Sequence, residues 1–195
     1  MNQKCNRTLT APWLFTRSQV KLINKFRMLW EQHDVWTRSA IMSIVFELPD
    51  LDLVLQRLLR NPVDFARVFE IFYGPKIAAR FKELLREHLV LAAQIVEAAK
   101  AGNVKAEAEA KRKWFKNADK IAAFLSQINP FWPEQKWREM LHEHLRLVYK
   151  EAVNILTADY EAGIEVYDRI EKQTLEMADF MSKGIFRQFP CLFLI

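Results

Sequence analysis

The amino-acid sequence predicts an all-α protein, built as an antiparallel helical bundle. Apolar residues recur at three- and four-residue steps in five long segments, which is the spacing of one face of a helix. The 195 residues include only four Gly and seven Pro, so few residues interrupt secondary structure and the predicted helices are few and long. No Asn-Gly or Asp-Gly hairpin turn occurs, and no segment shows the β-branched alternation of a strand.

The chain is predicted to form one domain, because its length suits a single hydrophobic core. An arm, residues 1–16, comes first, and a long helix over residues 17–48 follows it. Ser18 is the predicted N-cap of this helix. Pro49 ends the helix, since a proline disfavours helical backbone at the residue before it.

Two short helices are predicted next, as a crossover over residues 50–73. Asn61-Pro62 starts the second of them with proline in its first turn, and Gly74-Pro75 closes it. Two helical hairpins with short connections are then predicted over residues 76–128 and 133–189.

A repeated segment links the two predicted hairpins. Residues 83–89, Glu-Leu-Leu-Arg-Glu-His-Leu, return as residues 139–145, Glu-Met-Leu-His-Glu-His-Leu, so five of seven positions are identical at an offset of 56. We interpret the hairpins as two duplicated copies of one unit, with the first long helix packed against them as a fifth member. A ferritin-like bundle and an up-down bundle both fit this pattern.

A polar layer is predicted in the middle of the bundle. The apolar seams contain polar exceptions near the midpoints of their helices: His33, His88, Asn117, His144 and Glu171. Antiparallel helices of similar length align their midpoints, so these five side chains are expected to share one buried layer. Buried polar groups need partners, and the layer is therefore either a hydrogen-bonded network or a ligand site.

In the second interpretation the layer holds a transition metal. Three neutral imidazoles beside a carboxylate suit Zn, Fe, Ni or Cu, and the predicted ligands are His33, His88, His144 and Glu171, with Asn117 beside them. A carboxylate-bridged di-iron centre is not predicted, because it needs a Glu three residues before a His. Here the residues three and four before each histidine are apolar.

Charge and composition limit the other interpretations. The net charge of +5 comes mostly from the first 30 residues, and no zinc-finger, RNP or basic-zipper motif accompanies it, so we predict no specific nucleic-acid partner. Two cysteines near opposite ends and the lack of a signal-like or spanning segment predict a cytoplasmic protein. The apolar tail, residues 190–195, either docks on the body or meets a partner.

Several stretches carry a resemblance to known proteins, namely residues 29–33 (Leu-Trp-Glu-Gln-His), 36–38 (Trp-Thr-Arg), 57–62 (Arg-Leu-Leu-Arg-Asn-Pro), 72–74 (Phe-Tyr-Gly), 117–125 (Asn-Ala-Asp-Lys-Ile-Ala-Ala-Phe-Leu) and 128–130 (Ile-Asn-Pro). They resemble a family of small all-helical proteins from spore-forming and related bacteria, often labelled acetylglutamate kinase. An amino-acid kinase needs an α/β sheet and glycine-rich loops, and neither is predicted here. The resemblance implies the helical fold and transfers no catalytic residue.

From these patterns we expect a binding or interaction module whose central layer is a hydrogen-bonded network or holds a metal or small ligand. A metal-dependent protein or enzyme with a three-histidine site is one alternative. A protein recruited to a membrane surface or to a partner, a second copy included, by its basic end and apolar tail is another. No catalytic residue is assigned, and no substrate is predicted.

Overall fold

A computed structural model describes residues 15–194, and these residues form helices joined by short turns. The helices are α1 (Arg17–Val45), α2 (Leu51–Lys100), α3 (Val104–Ile128), α4 (Glu134–Leu156), α5 (Tyr160–Gln188) and a final 3-10 helix (Pro190–Phe193). The described part of the chain contains no strand, so the predicted all-α helical bundle is confirmed. Most of the predicted N-terminal arm lies outside the described residues.

The first helix is capped two residues earlier than predicted. Thr16, and not Ser18, is its N-cap: the Thr16 side chain accepts from the Gln19 N–H at 3.2 Å, and the Gln19 side chain accepts from the Thr16 N–H at 2.9 Å. These reciprocal bonds satisfy two amide groups that a helix start leaves unpaired. The helix ends at Val45, before the predicted stop, because the chain turns through Glu47 at a φ of 53°.

The predicted crossover of two short helices over residues 50–73 is wrong. Residues 51–73 form one continuous helical segment, α2a, with Pro62 in its interior. Proline there removes one backbone hydrogen bond. The segment nevertheless packs a buried face that includes Leu58, Phe65 and Phe69, and this burial outweighs the loss.

Helix α2 reverses direction at Gly74. This glycine has a φ of 78° and a ψ of 171°, a backbone conformation outside the helical region that glycine adopts most readily. The rings of Phe69 and Phe81, on opposite sides of the turn, stack with centroids 4.1 Å apart, and Phe65 also meets Phe81 at 6.0 Å. The segment after the turn, α2b (residues 75–100), therefore runs antiparallel to α2a.

Three antiparallel pairs of helical segments thus follow one another: α1 with α2a, α2b with α3, and α4 with α5. Helix α5 also packs on α1, so the first and third hairpins are neighbours. Arg27 and Asp179 join these two helices in a bidentate ion pair, with nitrogen–oxygen distances of 2.8 and 2.7 Å. Helix α1 is therefore half of a first hairpin, whereas the sequence predicted a lone fifth member. In each hairpin, a buried histidine lies near the middle of one helix: His33 in α1, His88 in α2b and His144 in α4.

The described residues contain no helix of the length and apolar character needed to cross a membrane. The tail docks on the body through Phe193, which is buried against Phe72 and Phe186. Leu192 and Leu194 stay exposed.

Candidate metal centre

Three buried histidines meet at the middle of the bundle. His33 comes from α1, His88 from α2b and His144 from α4, and each side chain is 2% exposed. The ring centroids of His33 and His144 are 5.6 Å apart, and those of His33 and His88 are 6.4 Å apart. The prediction that the histidines share one layer is therefore confirmed.

The ring of His33 is oriented by an amide. Its Nδ1 lies 3.3 Å from Asn61 Oδ1, while Asn61 Nδ2 donates to the Leu29 carbonyl at 2.8 Å. Because the NH₂ end of the amide is used by that carbonyl, its oxygen faces the ring and accepts from the Nδ1–H. The lone pair of His33 is consequently on Nε2, the tautomer that a carbonyl oxygen at Nδ1 imposes on metal-binding histidines.

The second hairpin repeats this arrangement. His88 Nδ1 lies 3.1 Å from Asn117 Oδ1, and Asn117 Nδ2 donates to the Leu84 carbonyl at 3.1 Å and to Glu87 Oε2 at 3.0 Å. The predicted layer residue Asn117 is thus fully buried and fixes the same tautomer in His88.

The third hairpin repeats it in part. Gln173 Nε2 donates to the Met140 carbonyl at 2.8 Å, so glutamine takes the place of the two asparagines. Gln173 acts on the pKa of His144, but its Oε1 and His144 Nδ1, both buried, do not form a hydrogen bond of normal geometry. The ring of His144 is therefore held less firmly by its amide than the other two histidine rings are.

Burial keeps all three imidazoles neutral. Desolvation lowers the pKa of His33 to about 4 and that of His88 to about 3, and it lowers the pKa of His144 well below its usual range. The amide contacts oppose these shifts, whereas the nearby imidazoles reinforce the shifts of His88 and His144. A neutral imidazole is the form that binds a metal.

Asp34 brings a carboxylate to the histidines. It is 2% exposed, its Oδ2 accepts a hydrogen bond from the Thr174 hydroxyl, and its Oδ1 has no partner. One ring nitrogen of His33, one of His144 and one Asp34 oxygen all lie within 4.8 Å of one another. Burial raises the pKa of Asp34 well above its usual range, the Thr174 bond opposes this, and nearby carboxylates add to it.

A second buried acid lies close by. Glu151, 1% exposed, accepts a hydrogen bond from Arg38, whose guanidinium also lies 4.8 Å from the centre of the Tyr167 ring. Burial raises the pKa of Glu151 to about 7 although Arg38 lowers it. Burial likewise raises the pKa of Tyr167 to about 12, with Asp34 and Glu151 among the contributing charges.

Glu171 is the predicted layer residue that the structure places elsewhere. Its side chain is exposed on α5, whereas Thr174, one turn further along, is fully buried. Only the first half of α5 was predicted on the wrong face, because Val166 and Ile170 pack inward there. Asp34 was not predicted as a ligand, because the predicted inward-facing stripe of α1 passes through His33 and not through its neighbour.

Two amides were missed as well, although a signal was present. Asn61 and Gln173 lie 56 residues before and after Asn117, the same offset that separates His88 from His144. Following that offset through the whole chain would have identified them. The offset from His33 to His88 is 55, so one residue breaks the strict period.

The donor set fits a transition-metal ion. Two imidazoles on one tetrahedral ion have ring centroids about 5 Å apart, because metal–nitrogen bonds are about 2.0–2.1 Å long. The His33–His144 separation of 5.6 Å is close to this value, and His88 is somewhat further out. A cavity of about 10 Å³ borders all three histidines, although Asp34 does not line it, and this volume is at the lower limit for one water-sized occupant.

Comparisons of the chain with protein-family models, with curated proteins and with solved structures found no match. The resemblance to the small helical family therefore stays a prediction.

Proposed function

We propose that this protein is a metal-binding helical bundle that holds one first-row transition-metal ion at its centre. The ligands in this proposal are His33, His144 and Asp34, with His88 as the fourth. Of the residues predicted from sequence, the three histidines are kept as ligands, Asn117 becomes a positioning residue, and Glu171 is replaced by Asp34. Nitrogen and oxygen donors of this kind suit Zn²⁺ or Fe²⁺.

The observation that carries the proposal is the unpartnered carboxylate oxygen of Asp34 beside two histidines. Asp34 Oδ1 is buried without a hydrogen bond, and leaving such an atom unpaired costs about 1–3 kcal/mol. Asp34, His33 and His144 form a group of three ligands that lie within 4.8 Å of one another in the described part of the chain. A bound cation satisfies the Asp34 oxygen, whereas a purely structural network leaves it unpaired.

We also propose that the three hairpins are copies of one unit. Support comes from the recurring contact in which a side-chain amide donates to the carbonyl four residues before a histidine, at Leu29, Leu84 and Met140. In this interpretation the duplication predicted from sequence is a triplication. The three hairpins differ at the residue after the histidine, which is Asp34 in the first hairpin and Leu89 and Leu145 in the other two.

Metal analysis of the purified protein tests the function. We expect about one Zn or Fe per chain, a visible absorption band when Co²⁺ is added to metal-free protein, and a raised melting temperature with metal. His144→Gln should abolish all three effects. The matched control is His142→Gln on the same helix, because His142 points elsewhere and contacts Asp119 at 2.9 Å.

Two results would contradict the proposal. One is wild-type protein without metal whose melting temperature does not respond to Zn²⁺, Fe²⁺ or Co²⁺. The other is His144→Gln protein that binds Co²⁺ like the control. Circular dichroism shows whether each variant is folded. Asp34→Leu gives a second test with a variant that we expect to fold well, and it too should lose Co²⁺ binding.

A further inference from the structure

An acidic strip leads from the protein surface to Asp34. Glu171 is exposed on α5, Glu31 is half-buried on α1, and Asp34 is buried. Asp34 follows Glu31 by three residues, and Thr174 follows Glu171 by three, so each pair lies on one face of its helix. The hydrogen bond from Thr174 to Asp34 joins the inner ends of the two pairs.

The strip has negative charge without a matching positive charge. Burial and, after it, the charge of Glu171 raise the pKa of Glu31, and both glutamates add to the effect of burial on the pKa of Asp34, so the three carboxyls influence one another. Among the described residues, no cation contributes to the shift of Asp34. The nearby Arg38 is already paired with Glu151.

The histidine centre is enclosed by apolar side chains on its other sides. Apart from the histidines, its cavity is lined by apolar side chains, among them Trp30, Phe81, Leu125 and Met181. A cation moving through such a wall would lose its hydration without compensation, which is strongly unfavourable. The acidic strip is the approach that offers oxygen ligands along its length.

We propose that Glu171 and Glu31 form an entrance that attracts a divalent cation and passes it to Asp34, whose unpartnered oxygen receives it beside His33 and His144. This inference rests on the proposed metal centre. Carboxylates suit a cation that still keeps part of its water shell, and the histidines suit its final site. The two glutamates therefore control how fast the ion arrives, and they are not among its final ligands.

Stopped-flow mixing of metal-free protein with Co²⁺ tests this entrance. The double variant Glu31→Gln/Glu171→Gln removes two negative charges and keeps side-chain size. We expect its association rate to fall about 10-fold at low ionic strength, the lower end of the usual range for electrostatic steering. The difference should shrink at about 0.5 M salt, where charges are screened over a few ångströms.

The matched control is Glu70→Gln/Glu97→Gln, which removes the same charge from exposed positions on α2. This control should keep the wild-type rate, and both double variants should still bind one Co²⁺ per chain. Equal association rates in both double variants, with binding intact, overturn the entrance alone. Loss of stoichiometric binding in Glu31→Gln/Glu171→Gln also overturns it, since the glutamates would then be ligands. A wild-type protein that binds no Co²⁺ overturns the metal centre and the entrance together.

Discussion

Replacing Asp34 with leucine should make the metal-free protein more stable. The counterparts of Asp34 in the other two hairpins are Leu89 and Leu145, which are 2% and 0% exposed in the same layer of the bundle. A leucine therefore suits the space and the backbone at this position. The substitution removes the buried carboxyl group that has one unpartnered oxygen.

The size of the effect follows from the contacts of Asp34. Removing an unsatisfied buried polar atom recovers about 1–3 kcal/mol of unfolding free energy. Thr174 loses an acceptor, but its hydroxyl also lies 3.0 Å from the Ile170 carbonyl and stays satisfied. For a chain of this length each kcal/mol raises the melting temperature by about 2–4 °C, so we expect a rise of about 2–12 °C.

Thermal and urea unfolding, followed by circular dichroism at pH 7 with a chelator present, measure this change. The control is Asp179→Leu, where the carboxylate is partly exposed and pairs with Arg27 at 2.7 Å, so leucine should give no gain. If Asp34→Leu is less stable than wild type in chelator, the carboxyl group is satisfied in the native protein. Asp34 then needs no cation to satisfy its oxygen atoms.

Three further predictions concern the packing and the histidines. Gly184→Ala should destabilise the protein by about 1–3 kcal/mol in urea unfolding, since the added Cβ would lie 1.9 Å from the buried indole of Trp132. The control, Gly163→Ala, meets only ordinary contacts and should stabilise the protein by about 0.5–1 kcal/mol in the same measurement. Asn117→Leu leaves His88 Nδ1 without its acceptor and should cost about 1–3 kcal/mol by urea unfolding, which an unchanged stability would refute. The lowered pKa values of His33, His88 and His144 make the unfolded chain bind more protons as the pH falls, whereas the raised pKa values of Asp34 and Glu151 act in the opposite direction. Three groups outweigh two, so stability should fall as the pH drops from 6.5 towards 3, by a net amount of up to about 1.4 kcal/mol per pH unit, and melting curves in which stability rises over this range would contradict it.

The helices and the histidine layer could be predicted because both depend on local periodicity. A polar residue in the middle of an apolar stripe is expected to face inward, and His33, His88, His144 and Asn117 do, whereas Glu171 does not. The inward face of the first half of α5 was predicted wrongly because Glu171 fits the helical spacing before Thr174 as well as Ile170 does. Tertiary packing, which periodicity does not contain, decides between the two faces.

The first hairpin was missed for a different reason. Pro62 and Gly74 are both helix-breaking signals, and sequence alone does not show which of them reverses the chain. The helix continues through Pro62 and turns at Gly74. Asp34 was missed because an aspartate next to an inward-facing residue usually reaches solvent, and only its contact with Thr174 on α5 shows that this one is buried.

The packing of α5 on α1 has a consequence for how the chain can be rearranged. The ion pair between Arg27 and Asp179 places the first and last helices side by side and antiparallel, so the start of α1 lies near the end of α5. A short linker joining them, with new termini opened in the turn between α3 and α4, keeps every hairpin intact. We therefore expect a circular permutant to fold, because the bundle depends on which hairpins are neighbours and not on their order along the chain.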